Sequence, residues 1–281
     1  MYNLINRNIS NIIALLKIGG GRHVMQYLNL RTNLATVPWP PTYQSKYIAF
    51  WAMGRKSTAF YRDYFALLHS PAQPFVPTVT ALLPYGVHAS FASKLCHMHS
   101  PHLPIYDNFV KQFYCFTPPG TGLSQLAKVG IYDAFLAALA AEYARVLATR
   151  ELAVSIGVFR VTFPLAIPAS FTDEKIIDSL IWGLMKIFHL SSPLVLPGNG
   201  VTIHPLQPCI VPNADKHYKG LQKRIKDFLA NGLHIGKIMF THDPSAPPIP
   251  DWFKQWCSKV GIEICFVEGY GNNRPGEHTD R

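Results

Sequence analysis

Proline sets the scale on which this chain can fold. Twelve of its 23 prolines cluster in "VPWPP", "SPAQPFVP", "SPHLP", "TPPG" and "SSPLVLPG". Each one removes a backbone donor and pushes the residue before it out of helical geometry, so the intervening segments must be interrupted elements on short loops. Core size is not the limit. A chain of 281 residues, 48% hydrophobic and 15% charged, has the composition of a packed globular protein rather than a disordered one.

Between the breaks the periodicity is mostly helical. "NIIALLKI" predicts an opening helix ended by Gly19, Gly20 and Gly21, where positive φ is accessible. Residues 44–69 read as two aromatic-rich helices with Gly54 and Ser57 near the break. Further helices are expected from Thr78, at about 90–99 after a turn at 84–88, and from near Asp107. "LSQLAKVGIYDAFLAALAAEYARVLATRE" is alanine-rich and predicts a long helical stretch. In "SFTDEKIIDSLIWGLMKIF", Thr172 is the expected N-cap, Asp173 and Glu174 suit the positive end of the helix dipole, and Ile177, Leu180, Ile181 and Leu184 form one apolar face.

The pattern changes at about 191–200. "VTIHPLQPCIV", "GKIMFTH" and "IEICFVEG" read as strands alternating with the helices "KHYKGLQKRIKDFLANG" and "PDWFKQWCSKVG", which predicts a parallel sheet with crossover helices. The expected organisation is a mainly α domain over 1–190 followed by a small α/β unit over 200–270, with a frayed tail after Gly269.

The net charge of +10 is unevenly spread. Residues 1–132 contain eleven Lys and Arg against two acids, Asp63 and Asp107, a net of +9 (11 − 2). Such a surface attracts polyanions, and nucleic acid gains counterion release at each phosphate contact. Solubilising charge and attraction to anionic lipid are the alternatives. The five cysteines, Cys96, Cys115, Cys209, Cys257 and Cys265, form no CxxC pair, which argues against a disulfide framework and a zinc knuckle. The start has no signal-peptide pattern, and no apolar run reaches the ~18 residues of a membrane span. A reduced, cytoplasmic protein without a membrane segment is expected.

One stretch carries chemistry. "LPYGVHASFAS" places a glycine turn between two helices, and "PIYDNFVK" follows with Asp107 at the head of another. This pattern resembles the helix-hairpin-helix DNA glycosylase superfamily, which contains endonuclease III and the 8-oxoguanine and adenine glycosylases. Matching Gly86 to the first hairpin glycine puts Ser90 at the position of the lyase lysine, Ala92 at a common alanine and Asp107 at the catalytic acid. The fit is closest to the adenine-glycosylase pattern, where serine replaces the lysine. The resemblance is firmest over about 80–115 and does not extend past 190. Two departures bear on the hairpin: Tyr85 is inserted before the glycine, and His88 replaces the second glycine.

The resemblance implies that Asp107 stabilises the sugar cation and that the amides of Gly86, Val87, His88 and Ala89 hold a phosphate. The chemistry agrees independently. Breaking an N-glycosidic bond develops positive charge on the sugar, and a fixed carboxylate in a basic groove with few competing acids stabilises it. Asp107 could equally be an N-cap. A base must leave the duplex before excision, so stacking aromatics are expected, with Trp39, Tyr43, Trp51 and Tyr61 as candidates. Lys94 lies one helical turn after Ser90. It is either a Schiff-base nucleophile or a phosphate or solvent contact; the second option predicts a monofunctional hydrolase. Lys111 is expected to help grip the strand. Lys223 and Arg224, on the basic helix, are either an additional DNA contact or part of a solvated face. Cys96, His97, His99 and His102 fall within seven residues, but His97 and His99 do not share a helix face and Pro101 ends the helix, so structural histidines are expected and no metal or other cofactor.

These readings predict a monomeric DNA glycosylase that leaves an abasic site, in base-excision repair or in antiviral defence against modified phage DNA. A non-catalytic DNA-binding hairpin module and a metal-dependent nuclease are the rival readings. The excised base is not legible in the sequence.

Overall fold

A computed structural model describes residues 1–36, 38–190, 194–206, 214–242 and 248–268. Among the described residues ten α-helices precede the first strand: α1 (Tyr2–Arg7), α2 (Ile9–Leu34), α3 (Tyr43–Phe50), α4 (Thr58–His69), α5 (Phe75–Ala81), α6 (Ala89–His99), α7 (Asn108–Phe113), α8 (Gln125–Ala148), α9 (Ala153–Thr162) and α10 (Asp173–His189). Then follow β1 (Val201–Ile203), α11 (Ala214–Ala230), β2 (Ile235–His242), α12 (Asp251–Lys259) and β3 (Glu263–Glu268). The protein is therefore mainly helical with a small parallel sheet. Short polar side chains start four of the helices. Ser57, Asp107, Ser124 and Thr172 each accept the amide three residues on, satisfying donors that the first helical turn leaves unpaired.

Two boundaries differ from the sequence pattern. α2 does not stop at Gly19 to Gly21 but runs through them to Leu34. Gly21 has a φ of +75°, and a Cβ there would lie 3.1 Å from the ring of Phe163 at the end of α9. Its glycine serves a close helix–helix approach rather than a terminus. α5 starts at Phe75 and not at Thr78. Pro77 falls within its first turn, where no intrahelical donor is needed, and Thr78 Oγ1 donates back to the Pro74 carbonyl at 2.8 Å.

The central helix is α10. Ile176, Ile177, Leu180, Ile181 and Leu184 are all buried on it, and it packs against α2 and α7. Where α2 crosses it, a Cβ on Gly183 would lie 2.7 Å from Ile12 Cγ2.

The sheet has the order β1-β2-β3, all parallel. α11 and α12 lie in the connections between successive strands, as parallel neighbours require. Of the expected first strand, Val201–Ile203 is strand; residues 207–213, Cys209 and the tail from Gly269 lie outside the described residues. The unit is seated on the helical part. Phe228 of α11 packs on Phe188 of α10 with ring centroids 5.8 Å apart, and Leu206 N–H donates to the Tyr114 carbonyl at 3.0 Å. One hydrophobic core runs through both. Among the described residues the cysteines are free, and no helix is long and apolar enough to cross a membrane.

Candidate active site

The hairpin is built from α5, a 3-10 turn over Leu83–Tyr85, Gly86 and α6. Gly86 has a φ of +103°, a conformation that disfavours any side chain. The two departures from the hairpin pattern are tied locally. Tyr85 O–H donates to Asp63 Oδ2 at 2.5 Å, and His88 Nε2 lies 2.9 Å from the Tyr85 carbonyl. Burial, then the charge of Lys56, pushes His88 below the usual imidazole range.

α6 is held to the "PIYD" segment by Ser93, whose buried hydroxyl accepts the Tyr106 N–H at 3.0 Å. That bond fixes the backbone next to Asp107. Asp107 is extended and caps α7, with Oδ1 accepting the Val110 N–H at 2.7 Å. Among the described residues Oδ2 accepts no hydrogen bond. The same side chain lines a cavity of about 430 Å³, a volume within the range of small-molecule sites. Capping and cavity lining thus coexist at this residue.

Four residues anticipated from the sequence meet at this cavity: Asp107, Ser90, Lys94 and Trp51. Lys94 is buried in the cavity wall rather than set out in solvent. Its Nζ donates to the Trp51 carbonyl at 2.9 Å and lies 5.7 Å from the Trp51 ring and 5.6 Å from the Phe91 ring. Burial is the main force lowering its pKa, to about 8; the carboxylate of Asp107 opposes this and Lys175 adds to it.

Trp39, Tyr43 and Tyr61 do not line the cavity. Trp39 packs on Tyr43 with centroids 4.7 Å apart, its Nε1–H donating to Leu34 O at 3.2 Å. The Tyr43 hydroxyl donates to the Leu30 carbonyl and that of Tyr61 to the Gly54 carbonyl. These rings bind α2, α3 and α4 together instead.

The far wall comes from α10 and α2. Lys175, Asp178 and Trp182 recur at helical spacing along one side of α10, and His23 comes from α2. Lys175 Nζ lies over the rings of Tyr27 (4.9 Å) and Trp51 (5.3 Å). Burial lowers its pKa, against the pull of Asp178 and Asp107. Asp178 is driven the other way. Burial raises it to about 7, although Lys175 and a hydrogen bond from Tyr143 oppose the rise, and the negative charge of Asp107 adds to it. Its Oδ1 accepts the Tyr143 hydroxyl, while Oδ2 is buried with no partner among the described residues. His23 is sandwiched between Phe50 and Trp182, each 4.9 Å away, and burial pushes it down to about 3. The α10 residues were missed from sequence because charged groups on an amphipathic helix read as its wet side. The available signal was a lysine and an aspartate three apart with a tryptophan four further on.

The remaining basic residues lie elsewhere. Lys111 of α7 is half-buried, and burial followed by the charge of Arg224 lowers its pKa, so α11 brings Arg224 into its field. Lys223 is exposed on the same helix. In "CHMHSPH", His97 is fully buried with both nitrogens engaged, Nδ1 2.6 Å from Leu103 O and Nε2 2.9 Å from the Tyr27 hydroxyl. His102 Nδ1 lies 3.2 Å from Glu174. No group of three or more His, Cys, Asp or Glu among the described residues is placed to hold a metal.

No family model matches the chain, and neither a curated protein nor a solved structure matches it.

Proposed function

We propose that the protein is a DNA glycosylase of the helix-hairpin-helix kind, which hydrolyses the N-glycosidic bond of an extruded base and leaves an abasic site. One observation carries this reading: Ser90, Lys94 and Asp107, all from the motif, line one aromatic-walled cavity. In this mechanism the base stacks in the cavity among Trp51, Phe50 and Trp182. Asp107 faces the sugar, stabilises the positive charge that develops at C1′ and orients the attacking water. The basic surface of residues 1–132, with Lys111 and Arg224, holds phosphates.

Asp107→Asn separates catalysis from capping, because asparagine caps a helix about as well as aspartate. The variant is expected to keep its stability within about 0.5 kcal/mol and to lose at least ~100-fold in excision rate. Abasic sites are read by mild alkali on duplexes carrying oxidised, alkylated, deaminated and hypermodified bases. No excision of any of them by the wild type would favour a non-catalytic DNA-binding module.

A second reading adds strand cleavage, with Lys94 attacking C1′ to form a Schiff base. The observation in its favour is an amine buried beside Asp107 with its pKa lowered to about 8, since the neutral amine is the nucleophile. Hydrolysis stays the primary reading because Nζ is already bound to the Trp51 carbonyl. A borohydride-trapped adduct that is lost in Lys94→Ala decides for the lyase; its absence in the wild type decides for the hydrolase.

A further inference from the structure

Two carboxyl side chains line the cavity, and they are held in different ways. Asp107 is a helix cap whose Oδ1 takes an amide hydrogen bond. Asp178 is among the buried residues of α10, held by the Tyr143 hydroxyl at Oδ1, with Oδ2 buried and unpartnered among the described residues. An unpartnered buried oxygen is costly. Asp178 lines the cavity, so the missing partner is one that a ligand there can supply. Two carboxyls in one site, one a helix cap and the other buried, can divide the roles of anion and acid between them.

A base leaving C1′ takes the bonding electron pair with it and is a poor leaving group as an anion; a proton supplied in the transition state lowers that barrier. We propose that Asp178 is the general acid that protonates the departing base, while Asp107 serves the sugar. This rests on the glycosylase reading above. In the step, the C1′–N bond breaks and its pair passes to the base, which receives the proton from Asp178 Oδ2. Asp178 is left as a carboxylate, and the ammonium of Lys175, one turn earlier on α10, offsets the new charge. Water adds to C1′ and gives its proton through Asp107 to solvent. Asp178 takes a proton from solvent once the base has gone. The sum is glycoside plus water giving free base and a C1′ hydroxyl.

The groups that face Asp178 define the pH response. On α10 these are Lys175 and Glu174; α8 supplies Tyr143 and α2 supplies Tyr27. His23, Lys94 and Asp107 line the same cavity. His23 titrates near 3 and burial holds the tyrosines high, so neither enters the working range. The active form carries the proton on Asp178, which titrates at about 7. The excision rate therefore falls as pH rises through about 7. Lys94 titrates a unit higher and is removed separately by Lys94→Met.

The test is single-turnover excision, from about pH 5.5 to 9, of whichever panel base the wild type removes. Asp178→Asn is expected to lose ~100-fold or more and to lose the limb near neutrality, whereas Lys94→Met keeps that limb. Binding of a duplex with a cationic pyrrolidine in place of the sugar reports the Asp107 side of the site and is expected to change less than about threefold in Asp178→Asn. An unchanged rate and profile in Asp178→Asn overturns the inference. Should that variant not fold, the wild-type profile decides: a limb near neutrality supports the acid, and a flat profile from about pH 6 to 8 overturns it. Excision of no base by the wild type brings down the glycosylase reading itself, and this inference with it.

Discussion

Burying Asp178 costs stability in a pH-dependent way, and the cost can be worked out. Its carboxyl titrates at about 7 in the fold against 3.8 as the ordinary value. Below 3.8 both the folded and the unfolded chain hold the proton, so there is no penalty. Between these two values the unfolded chain has released the proton and the folded one retains it, so stability falls as pH rises, and the full penalty is present above about 7. The interval of about 3 pH units, at about 1.4 kcal/mol each, gives about 4 kcal/mol. Asp178→Asn removes this cost and keeps an oxygen for the Tyr143 hydroxyl. It also strips Lys175 of its counter-charge, which returns roughly half of the gain. The variant is therefore expected to be about 2 kcal/mol more stable than wild type at pH 8.5, or about 3–4 °C in melting temperature for a chain of this size, and close to wild type at pH 4.5. Thermal melts of both proteins at the two pH values make the comparison. A variant equally or less stable at pH 8.5 would mean that the folded protein accommodates a charged Asp178 without penalty, and the reasoning fails.

Two further substitutions probe the framework. Ser93→Ala leaves the buried Tyr106 N–H without its acceptor and is expected to cost about 2 kcal/mol by denaturant titration; under the proposed function it also slows excision by loosening the backbone before Asp107. Gly183→Ala sets a methyl 2.7 Å from Ile12 Cγ2, and that overlap is expected to cost about 1–3 kcal/mol and to outweigh the better helix propensity of alanine; a higher melting temperature would show that α2 yields.

The motif residues were legible because their arrangement is local. Ser90 and Lys94 sit one turn apart on one helix, and the proline-rich "SPHLP" leaves Asp107 no choice but to open the next. The cap at Thr172 and the parallel sheet followed from local pattern too. What failed was decided by distant partners. Gly21 looks like a helix end until Phe163 is seen beside it. Trp39, Tyr43 and Tyr61 were indistinguishable from Trp51 by type, and only the packing of α3 on α2 and α6 turns one of them toward the cavity. Lys175 gave no sign that its side of α10 is enclosed, because the rings under its amine come from segments more than a hundred residues earlier.

The enclosed amines and carboxylates of the cavity amount to a small proton store, since Asp178 and Lys94 change state within a unit of one another, at about 7 and about 8. A polyanion settling on the basic surface makes the local potential more negative, which favours the protonated state of acid and amine alike. Under the proposed function, docking would then draw hydrogen ions from the medium into the cavity before any base enters it, so grip and readiness would rise together.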